Sequence, residues 1–403
     1  MSRSSFYRLI AKVDAHTGSI AALLAAAALS GCTSMRAMLP GALGDLIRAP
    51  GAPQTIRVAV ALAAPSVTLS VAGPGTITYA GARRDSRRFA TLARVTITCN
   101  AAGVLCVNNQ PINSAKMTVS PDMPQTMAIN GVVYRGRADV LTDGGKVTAV
   151  NALPLEEYIM GVVPKETFAN WPEEAVRAQA VAARTFAVYH TLNAAEHNYD
   201  IVAPMHQLYG GSSSEDPRTT KAVLDTEGET LLLEGAVLCA YFHTCCGGTT
   251  EEATNIFPQA TTCPAGVTCS YCKNSPHYSW NCSIAGENVV ETLRHAGKRV
   301  AAPLVAVTPT RRFGSGRVAT LRLTTRGGAV DLTGEECRRM LGYNLVRSTL
   351  FNVRLRSGRL IVWGHGWGHG VGLCQWGSKA MADAGFSYKD ILSFYYPGTQ
   401  LQR

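Results

Sequence analysis

The sequence predicts an α+β fold, with a β-rich first part and helices placed among later strands. Short runs of alternating apolar residues recur from Thr55 to about Val150, as in TIRVAVAL, SVTLSVAG, RVTIT, KMTVS and KVTAVNAL, and turn residues separate them. A long helical pattern follows, and the rest of the chain mixes strand, loop and helix patterns. The 403 residues can hold two or three ordinary domains, or one large domain with an insertion.

The N-terminal segment, residues 1–32, has the order of a bacterial export signal. Basic residues precede the small apolar run SIAALLAAAALSGC, which ends at Cys32 and is too short to span a bilayer comfortably. LSGC resembles a lipobox, in which the leader is cut before Cys32 and that cysteine receives the lipid. A signal anchor or a plain leader would fit the same residues. We expect lipidation at Cys32, with the Gly- and Pro-containing residues 33–54 as a tether.

The charge balance suits an anionic environment. The formal net charge is +10 at pH 7, which fits either nucleic acid or a bacterial envelope. The basic residues do not form the long Lys/Arg runs of a nucleic-acid-binding arm, and the densest stretches are ARRDSRR and TRRFGSGR. We therefore expect a protein of the cell envelope, on the periplasmic side of a membrane if the cell is Gram-negative, without a nucleic-acid partner.

The twelve cysteines agree with export, because this number is high for a reducing compartment. Cys99 and Cys106 flank an Asn-Ala-Ala-Gly turn between two alternating strands, where a hairpin disulfide is geometrically easy. Seven others crowd between residues 239 and 282 and form a different pattern.

The longest predicted helix begins near Pro172, which suits a first helical position. The following EEAVRAQAVAARTFAVYHTL contains no further Pro or Gly. Its apolar stripe consists of Val176, Ala180, Ala183 and Ala187, whose small side chains allow close packing. Two more helices are predicted, around TGEECRRML and YKDILSFYY.

Several segments together resemble the SpoIID/LytB domain family, named after stage II sporulation protein D. LPLEEYIMGVVPKETFANWPEEAVRAQAVAARTFAVYH looks like its signature, and LYGG, YFHTCCGGTTEE, STLFNVR and GHGWGHGVGLCQWGSKAMADAG follow in the family's order. The resemblance covers residues 55–403, with residues 63–133 as a β-rich inserted subdomain. It implies an envelope domain that acts on peptidoglycan. Some members are lytic transglycosylases and others are described as amidase enhancers.

Glu166 is the carboxyl residue that we expect to be catalytic. Cleavage of a β-1,4 glycosidic bond needs an acid whose pKa is raised toward neutrality. The neighbouring acids, Glu156–Glu157 and Glu173–Glu174, stand at helix starts, where capping is their expected role. Glu166 stands in the connection between the helices, after the apolar IMGVV and near Phe168, and an apolar environment raises a carboxyl pKa. The resemblance also assigns the family's catalytic acid to Glu166.

The signature shows no obvious second carboxylate, which favours a lytic transglycosylase over a hydrolase. A hydrolase normally uses two carboxylates. A lytic transglycosylase can use one, first as an acid and then as a base toward the C6 hydroxyl of muramic acid, leaving a 1,6-anhydro end. A distant residue such as Asp200 could still approach in the fold. A non-catalytic amidase enhancer and a glycan-binding envelope protein therefore stay open as alternatives.

Seven further residues are candidates for contact with the glycan: Gln179, Arg184, Gln207, Tyr209, His365, His369 and Gln375. The first two lie on the alanine-rich helix, where they either brace the helix or hold the catalytic loop and contact N-acetyl groups. The next two match polar groove positions of the family. The last three belong to GHGWGHGVGLCQWG, whose glycines argue against a helical metal site and which lacks the Lys and Ser/Thr of a phosphate loop. We interpret it as a groove wall beside the catalytic acid, although each histidine could equally belong to a packing corner.

A structural zinc site is expected in the cysteine-rich segment. Cys269 and Cys272 have the C-x-x-C spacing that lets two thiolates bind one zinc from a tight turn. With Cys246 from the CCGG turn and the nearby His277 they would form a site of three cysteines and one histidine, and zinc-binding members of the family are known. One alternative is a disulfide, either Cys263–Cys269 or Cys272–Cys282. Another is a zinc site in which His243 or Cys245 is a ligand.

Overall fold

The computed structural model describes residues 55–80, 85–112, 114–194, 197–258, 260 and 264–403. The predicted export signal with Cys32, the tether and Cys263 lie outside these residues. Within them, no helix is long and apolar enough to cross a membrane. Helices and strands are both abundant, and the strands form several sheets, so the α+β prediction is confirmed.

Twelve strands precede the first helix in the described part of the chain: β1 (Thr55–Ala64), β2 (Ser66–Val71), β3 (Gly75–Ala80), β4 (Asp85–Phe89), β5 (Leu92–Cys99), β6 (Leu105–Val107), β7 (Gln110–Pro111), β8 (Lys116–Pro121), β9 (Met127–Ile129), β10 (Val132–Tyr134), β11 (Arg137–Asp143) and β12 (Lys146–Pro154). With the later β13 (Ile201–Val202), they form a seven-stranded sheet of order β13-β1-β12-β11-β8-β3-β4 and a six-stranded sheet of order β10-β9-β2-β5-β6-β7. Four of the five strand patterns in the sequence fall within strands, and the fifth, SVTLSVAG, extends two residues beyond the end of β2.

The two sheets share one apolar core. Val67 and Ile97 from the six-stranded sheet pack in the same cluster as Val119 and Val140 from the seven-stranded sheet. The predicted insertion, residues 63–133, contributes β3, β4 and β8 to the sheet that also holds β11 and β12. It therefore shares hydrogen bonds and core with the rest of the chain, and its status as an insertion stays a prediction.

The hairpin disulfide between Cys99 and Cys106 is a wrong prediction. Both thiols are free. The register of β5 and β6 pairs Cys99 with Leu105 and Thr98 with Cys106. Because neighbouring strand residues point to opposite faces of a sheet, this one-residue offset directs the two cysteine side chains apart.

Eight α-helices occur in the described residues: α1 (Leu155–Glu166), α2 (Glu173–Asn193), α3 (Pro217–Asp225), α4 (Ala253–Ile256), α5 (Gly286–His295), α6 (Gly334–Leu341), α7 (Gln375–Asp383) and α8 (Tyr388–Tyr395). The three helices predicted from the sequence are confirmed as α2, α6 and α8. Pro172 is the residue before α2 and not its first helical residue. All four residues of the predicted small stripe of α2 are buried.

The remaining strands form four small sheets: β14 (Thr230–Leu233), β15 (Ala236–Val237), β16 (Phe242–His243), β17 (Ser279–Ala285), β18 (Leu304–Arg312), β19 (Val318–Thr325), β20 (Gly328–Thr333), β21 (Phe351–Arg356), β22 (Arg359–His365), β23 (Leu373–Cys374) and β24 (Gln400–Gln402). Their orders are β15-β14-β24, β16-β23, β17-β22-β21 and β18-β19-β20. A central core joins Ala178 and Ala182 of α2 to Leu373, Cys374 and Tyr395. A second core lies under β17, β22 and β19.

Candidate active site

Glu166 is the last residue of α1, and not a residue of the loop after it as the sequence predicted. The helix follows β12 directly and buries Tyr158, Ile159 and Val162. It ends because Thr167 is extended, with φ −138° and ψ 171°. A carboxylate at this helix end faces the negative pole of the helix dipole, which disfavours its charged form.

Burial is the main influence on the Glu166 carboxyl. It raises the pKa of Glu166 to about 7, because an apolar environment disfavours the ionised form. A backbone hydrogen bond acts in the opposite direction, since the amide N–H of Leu208 donates to Oε1 over 2.6 Å. The pKa of this carboxyl is therefore shifted toward neutral pH.

The amide side chains of Gln375 and Gln179 meet at the backbone of Glu166. Gln375, the first residue of α7, donates from Nε2 to the carbonyl oxygen of Glu166 over 2.8 Å. The same Nε2 lies 3.3 Å from Oε1 of Gln179 on α2. The fold thus brings three predicted site residues together from three helices, and these amides fix the end of α1.

Gln207 and Tyr209 lie on the segment that also supplies the Leu208 N–H, but their polar atoms have partners within the protein. The Tyr158 hydroxyl donates to Oε1 of Gln207 over 2.9 Å, and Nε2 of Gln207 donates to the Ala183 carbonyl. The hydroxyl of Tyr209 lies 2.9 Å from Oδ1 of Asn151. These contacts hold the segment against α1 and α2, so both residues position the Leu208 amide.

Arg184 braces the helices and does not line the site. It is fully buried and makes two 2.8 Å contacts to the carboxylate of Glu156. Since no part of its side chain reaches the surface, the assignment to sugar binding is replaced by the bracing role. Asp200 is also occupied, because its carboxylate binds Arg57 at 2.6 Å.

Five rings form a continuous series that begins just after Glu166; we call it the aromatic row: Phe168, Trp171, Trp376, His277 and Trp367. The successive ring centroids are 5.3, 5.2, 6.0 and 4.7 Å apart. Phe168 is 59% exposed, and the guanidinium of Arg347 lies 4.7 Å from the Trp367 ring. A series of neighbouring, partly exposed rings is suited to stacking against sugars.

The glycine-rich segment is irregular between His365, where β22 ends, and the two-residue strand β23. A side chain at Gly372 would place Cβ 2.0 Å from the Tyr241 carbonyl oxygen, and one at Gly370 would lie 2.2 Å from the Arg317 guanidinium carbon. Both glycines also have positive φ, so only glycine fits. This close packing fixes the segment that leads into Gln375, whose side chain binds the Glu166 backbone.

The two histidines of this segment have different environments. His365 is exposed, and its Nδ1 lies 3.2 Å from the Ser279 hydroxyl. His369 contacts the Phe242 carbonyl oxygen through Nε2 and accepts the Val371 N–H at Nδ1. Burial lowers the pKa of His369 to about 3, so it is neutral at physiological pH. It lines a cavity of about 600 Å³ whose walls do not include Glu166.

Four buried cysteines form a compact thiol cluster: Cys246, Cys269, Cys272 and Cys374. Their sulfur atoms all lie within 4.8 Å of one another, and a tetrahedral zinc with Zn–S bonds of about 2.3 Å separates its sulfurs by roughly 3.8 Å. Backbone N–H groups point at these sulfurs, from Cys246 and Gly377 to Cys374 and from Gly248 to Cys246. Such donors stabilise thiolates, and the site can hold a metal ion.

His277 is not part of this cluster, and the predicted set of three cysteines and one histidine is therefore wrong. Its ring packs against Trp367 and Trp376, and Cys374 occupies the fourth position. His277 is close to Cys272 in sequence, whereas Cys374 is brought in by β23 from far along the chain. Cys272 and Cys282 are both free, and His243 contacts the Val371 carbonyl through Nδ1.

Two protein-family descriptions match the chain. The model of "SpoIID: Stage II sporulation protein" matches residues 143–233, and that of "Domain of unknown function (DUF8618)" matches residues 266–372. Stage II sporulation protein D of Bacillus subtilis is 30% identical over 275 residues, which cover 63% of this chain and 76% of that protein. The chain belongs to the SpoIID/LytB family.

Two other relatives of this SpoIID/LytB chain differ in what their names say. An uncharacterized protein of Brachyspira hyodysenteriae is 34% identical over 279 residues, or 68% of this chain and 73% of that protein. A Bacillus subtilis protein named amidase enhancer is 27% identical over 290 residues, which cover 60% of this chain but only 40% of the relative. Of the thiol cluster, Cys246 lies between the two matched segments, Cys269 and Cys272 lie within the second, and Cys374 lies just after it.

Sequence reasoning missed Cys374 and the Leu208 amide. Cys374 stands inside the quoted motif GLCQWG, so an unexplained cysteine within a family signature was the available signal. A backbone N–H carries no residue-specific signal, and no pattern in the sequence could have indicated Leu208.

Proposed function

We propose that this SpoIID/LytB chain is a peptidoglycan lytic transglycosylase with Glu166 as its single acid and base. The observation that carries the proposal is the Glu166 carboxyl, which is partly buried at the end of α1, whose pKa is raised to about 7 and whose partner is one backbone N–H. A carboxyl of this kind can donate a proton at neutral pH and take one back. Asp200, the distant acid considered from the sequence, is held by Arg57.

The reaction needs one carboxyl in two protonation states. Protonated Glu166 gives its proton to the oxygen that joins C1 of N-acetylmuramic acid to C4 of N-acetylglucosamine, and the C1–O bond breaks. The carboxylate then accepts the proton of the muramic acid C6 hydroxyl while that oxygen bonds to C1. The products are a free C4 hydroxyl and a 1,6-anhydro-muramyl end, and Glu166 is again protonated. The Leu208 N–H stabilises the carboxylate between the two steps.

The aromatic row provides a surface for the glycan strand beside this carboxyl. Phe168 and Trp171 follow Glu166 directly, and Trp376 follows Gln375, whose amide binds the Glu166 backbone. Sugar rings stack on such faces through their axial C–H groups. The length of the row suits a polymer better than a single sugar.

Lysis of purified peptidoglycan by wild type and Glu166→Gln tests the assignment. The glutamine keeps the shape and the Leu208 hydrogen bond but has no proton to give, so the rate should fall about 100-fold or more. The wild-type rate should also decline above about pH 7, because the acid form is lost there. Equal rates for the two proteins would remove Glu166 from the mechanism.

We further propose that the thiol cluster holds one structural zinc. Four buried sulfurs within 4.8 Å and three N–H···S contacts fit a closed site of four cysteine ligands. Zinc there would join the turn at Cys246, the Cys269–Cys272 turn and the start of α7. Since α7 carries Gln375, the metal would support the Glu166 site without taking part in the reaction.

The amidase enhancer is the second candidate function, because one relative carries that name. In that case the chain would bind glycan and a cell-wall amidase without cutting the strand itself. Purified wild type that stimulates an amidase but releases no glycan fragments would favour it.

We also propose that the chain acts in the cell envelope and is anchored through a lipid on Cys32. Cys32 and residues 33–54 lie outside the described residues, so this proposal rests on the LSGC motif. Cys32→Ala should release the protein from the membrane fraction and abolish its lipid mass, and unchanged fractionation would contradict the anchor.

A further inference from the structure

We propose that the outer face of the sheet β17–β22–β21 is a second binding surface for a carboxylate-bearing, N-acetylated glycan strand, centred on Trp363. The ligand class rests on the proposed function, but the surface involves neither Glu166 nor the thiol cluster. We call it the Trp363 face: Ser279, Asn281, Ser283, Asn352, Arg354, Ile361, Trp363 and His365.

The strand register places Trp363 in the middle of this face. Trp363 is opposite Asn281 on β17 and opposite Asn352 on β21. The strand residues between those of the face point to the opposite side of the sheet, and two of them, Trp280 and Val362, are buried in the core beneath it. Trp363 therefore points away from the core, and it is 39% exposed.

The groups around Trp363 are suited to a sugar. An indole presents an apolar face to the C–H groups of a pyranose, and carboxamides on both sides can bind hydroxyl and N-acetyl groups. Asn281 makes no side-chain hydrogen bond within the described residues, and Asn352 accepts one from Arg312 at 3.0 Å. A membrane-binding face would instead surround the tryptophan with further apolar side chains.

The charge of this region is complementary to carboxylates. No Asp or Glu occurs on β17, β21 or β22. β21 and β22 carry three exposed arginines, Arg354, Arg356 and Arg359. Arg354 lies 5.6 Å from the Trp363 ring, and neither it nor Arg356 forms an ion pair within the described residues.

Muramic acid carries a carboxylate on its lactyl group, or on the stem peptide attached there. A strand of alternating amino sugars therefore presents both the N-acetyl groups and the negative charge that this face would bind. Arginine is the side chain that pairs best with carboxylates, because two of its N–H groups can bind both oxygens.

The Trp363 face continues the aromatic row. His277 and Trp367 end the row. Ser279, two residues after His277, begins β17, and His365, two residues before Trp367, ends β22. Ser279 and His365 are cross-strand partners joined by a 3.2 Å contact, and Trp363 lies two residues further along β22. Two residues of a strand span about 7 Å, so no large gap separates the row from the face. A long polymer can contact both.

Binding of insoluble peptidoglycan by full-length Glu166→Gln protein tests the proposal, because that background prevents cleavage. Adding Trp363→Ala should weaken binding roughly tenfold, and Arg354→Glu should weaken it and reduce its dependence on salt. Arg94→Glu makes the same charge change at an exposed position of β5 and should leave binding unchanged. An unchanged thermal unfolding temperature establishes that a variant is folded. If Trp363→Ala does not fold, the test rests on Arg354→Glu.

Three results would overturn the proposal. Wild-type affinity in both folded variants would exclude the face from binding. Loss of binding to phosphatidylglycerol vesicles, with peptidoglycan binding retained, would make it a membrane contact. Conversion of a dimer to a monomer by Trp363→Ala, seen by sedimentation velocity, would make it a subunit interface. Absence of cleavage by wild type would contradict the proposed enzyme activity alone, and weakened peptidoglycan binding by Trp363→Ala would still support the face.

Discussion

The Glu166 carboxyl combines a feature that favours catalysis with one that lowers stability. Burial raises its pKa from 4.5 to about 7, which keeps a proton available at neutral pH. The same burial makes the ionised form costly in the folded protein, because unfolding returns the carboxylate to water. Active-site groups commonly lower stability in this way.

Glu166→Gln should therefore stabilise the protein at alkaline pH. Between pH 4.5 and 7 the folded state binds more protons than the unfolded state at this site, so its contribution to stability falls as pH rises. Above pH 7 the variant should be more stable than wild type by up to about 3 kcal/mol, and below pH 4.5 the difference should vanish. Urea unfolding at several pH values measures this. A variant less stable than wild type at pH 8 would mean that the carboxylate is well solvated or paired.

Local and distant residues differ in how well the sequence predicts them. Glu166 and the Cys269–Cys272 pair could be predicted, because a carboxyl after an apolar run and a C-x-x-C turn are local patterns. His277 was a wrong prediction for the same reason, since closeness in sequence stood in for closeness in space. The backbone N–H of Cys246 and the sulfur of Cys374 are 3.2 Å apart across 128 residues, and only the tertiary packing of α2, β23 and α7 reveals that contact.

At the scale of elements, the thiol cluster and the helix ends form one unit. Cys374 caps α7, with its sulfur accepting the Gly377 N–H, and the next residue, Gln375, binds the end of α1. α2 packs between them and supplies Gln179. A change in the cluster should therefore reach Glu166 through a single residue of α7.

Zinc content separates Cys374 from His277. Cys374→Ser should remove the metal and unfold the surrounding loops, because ligand loss forfeits much of a binding free energy of about 10 kcal/mol or more. His277→Ala should retain one zinc per chain, since its ring contacts Trp367 and Trp376. Cys337→Ala is the matched control, a buried free thiol in the other core.

Elemental analysis and thermal unfolding of the three variants give the readout. Zinc in Cys374→Ser at the wild-type level, or a wild type without zinc, would contradict the site of four cysteine ligands.

At the scale of the whole molecule, positive charge and exposed rings lie toward the C-terminal part, while the two large sheets form the N-terminal part. The strand patterns of the first part could be predicted because alternation is a local property. The grouping of strands into two sheets with one shared core, and the placement of β22 between β17 and β21, depend on pairings that alternation does not specify. The Trp363 face could not be predicted from the sequence, because it depends on these strand pairings.

The central claim is that one carboxyl cuts the glycan and closes the muramic acid ring. Mass spectrometry of glycan fragments released by the purified protein tests it most directly. Wild type should release fragments with 1,6-anhydro-muramyl ends, which are about 18 Da lighter than hydrolysed ends because no water is added, and Glu166→Gln should release almost none. Fragments with reducing ends, or no fragments from wild type, would contradict it.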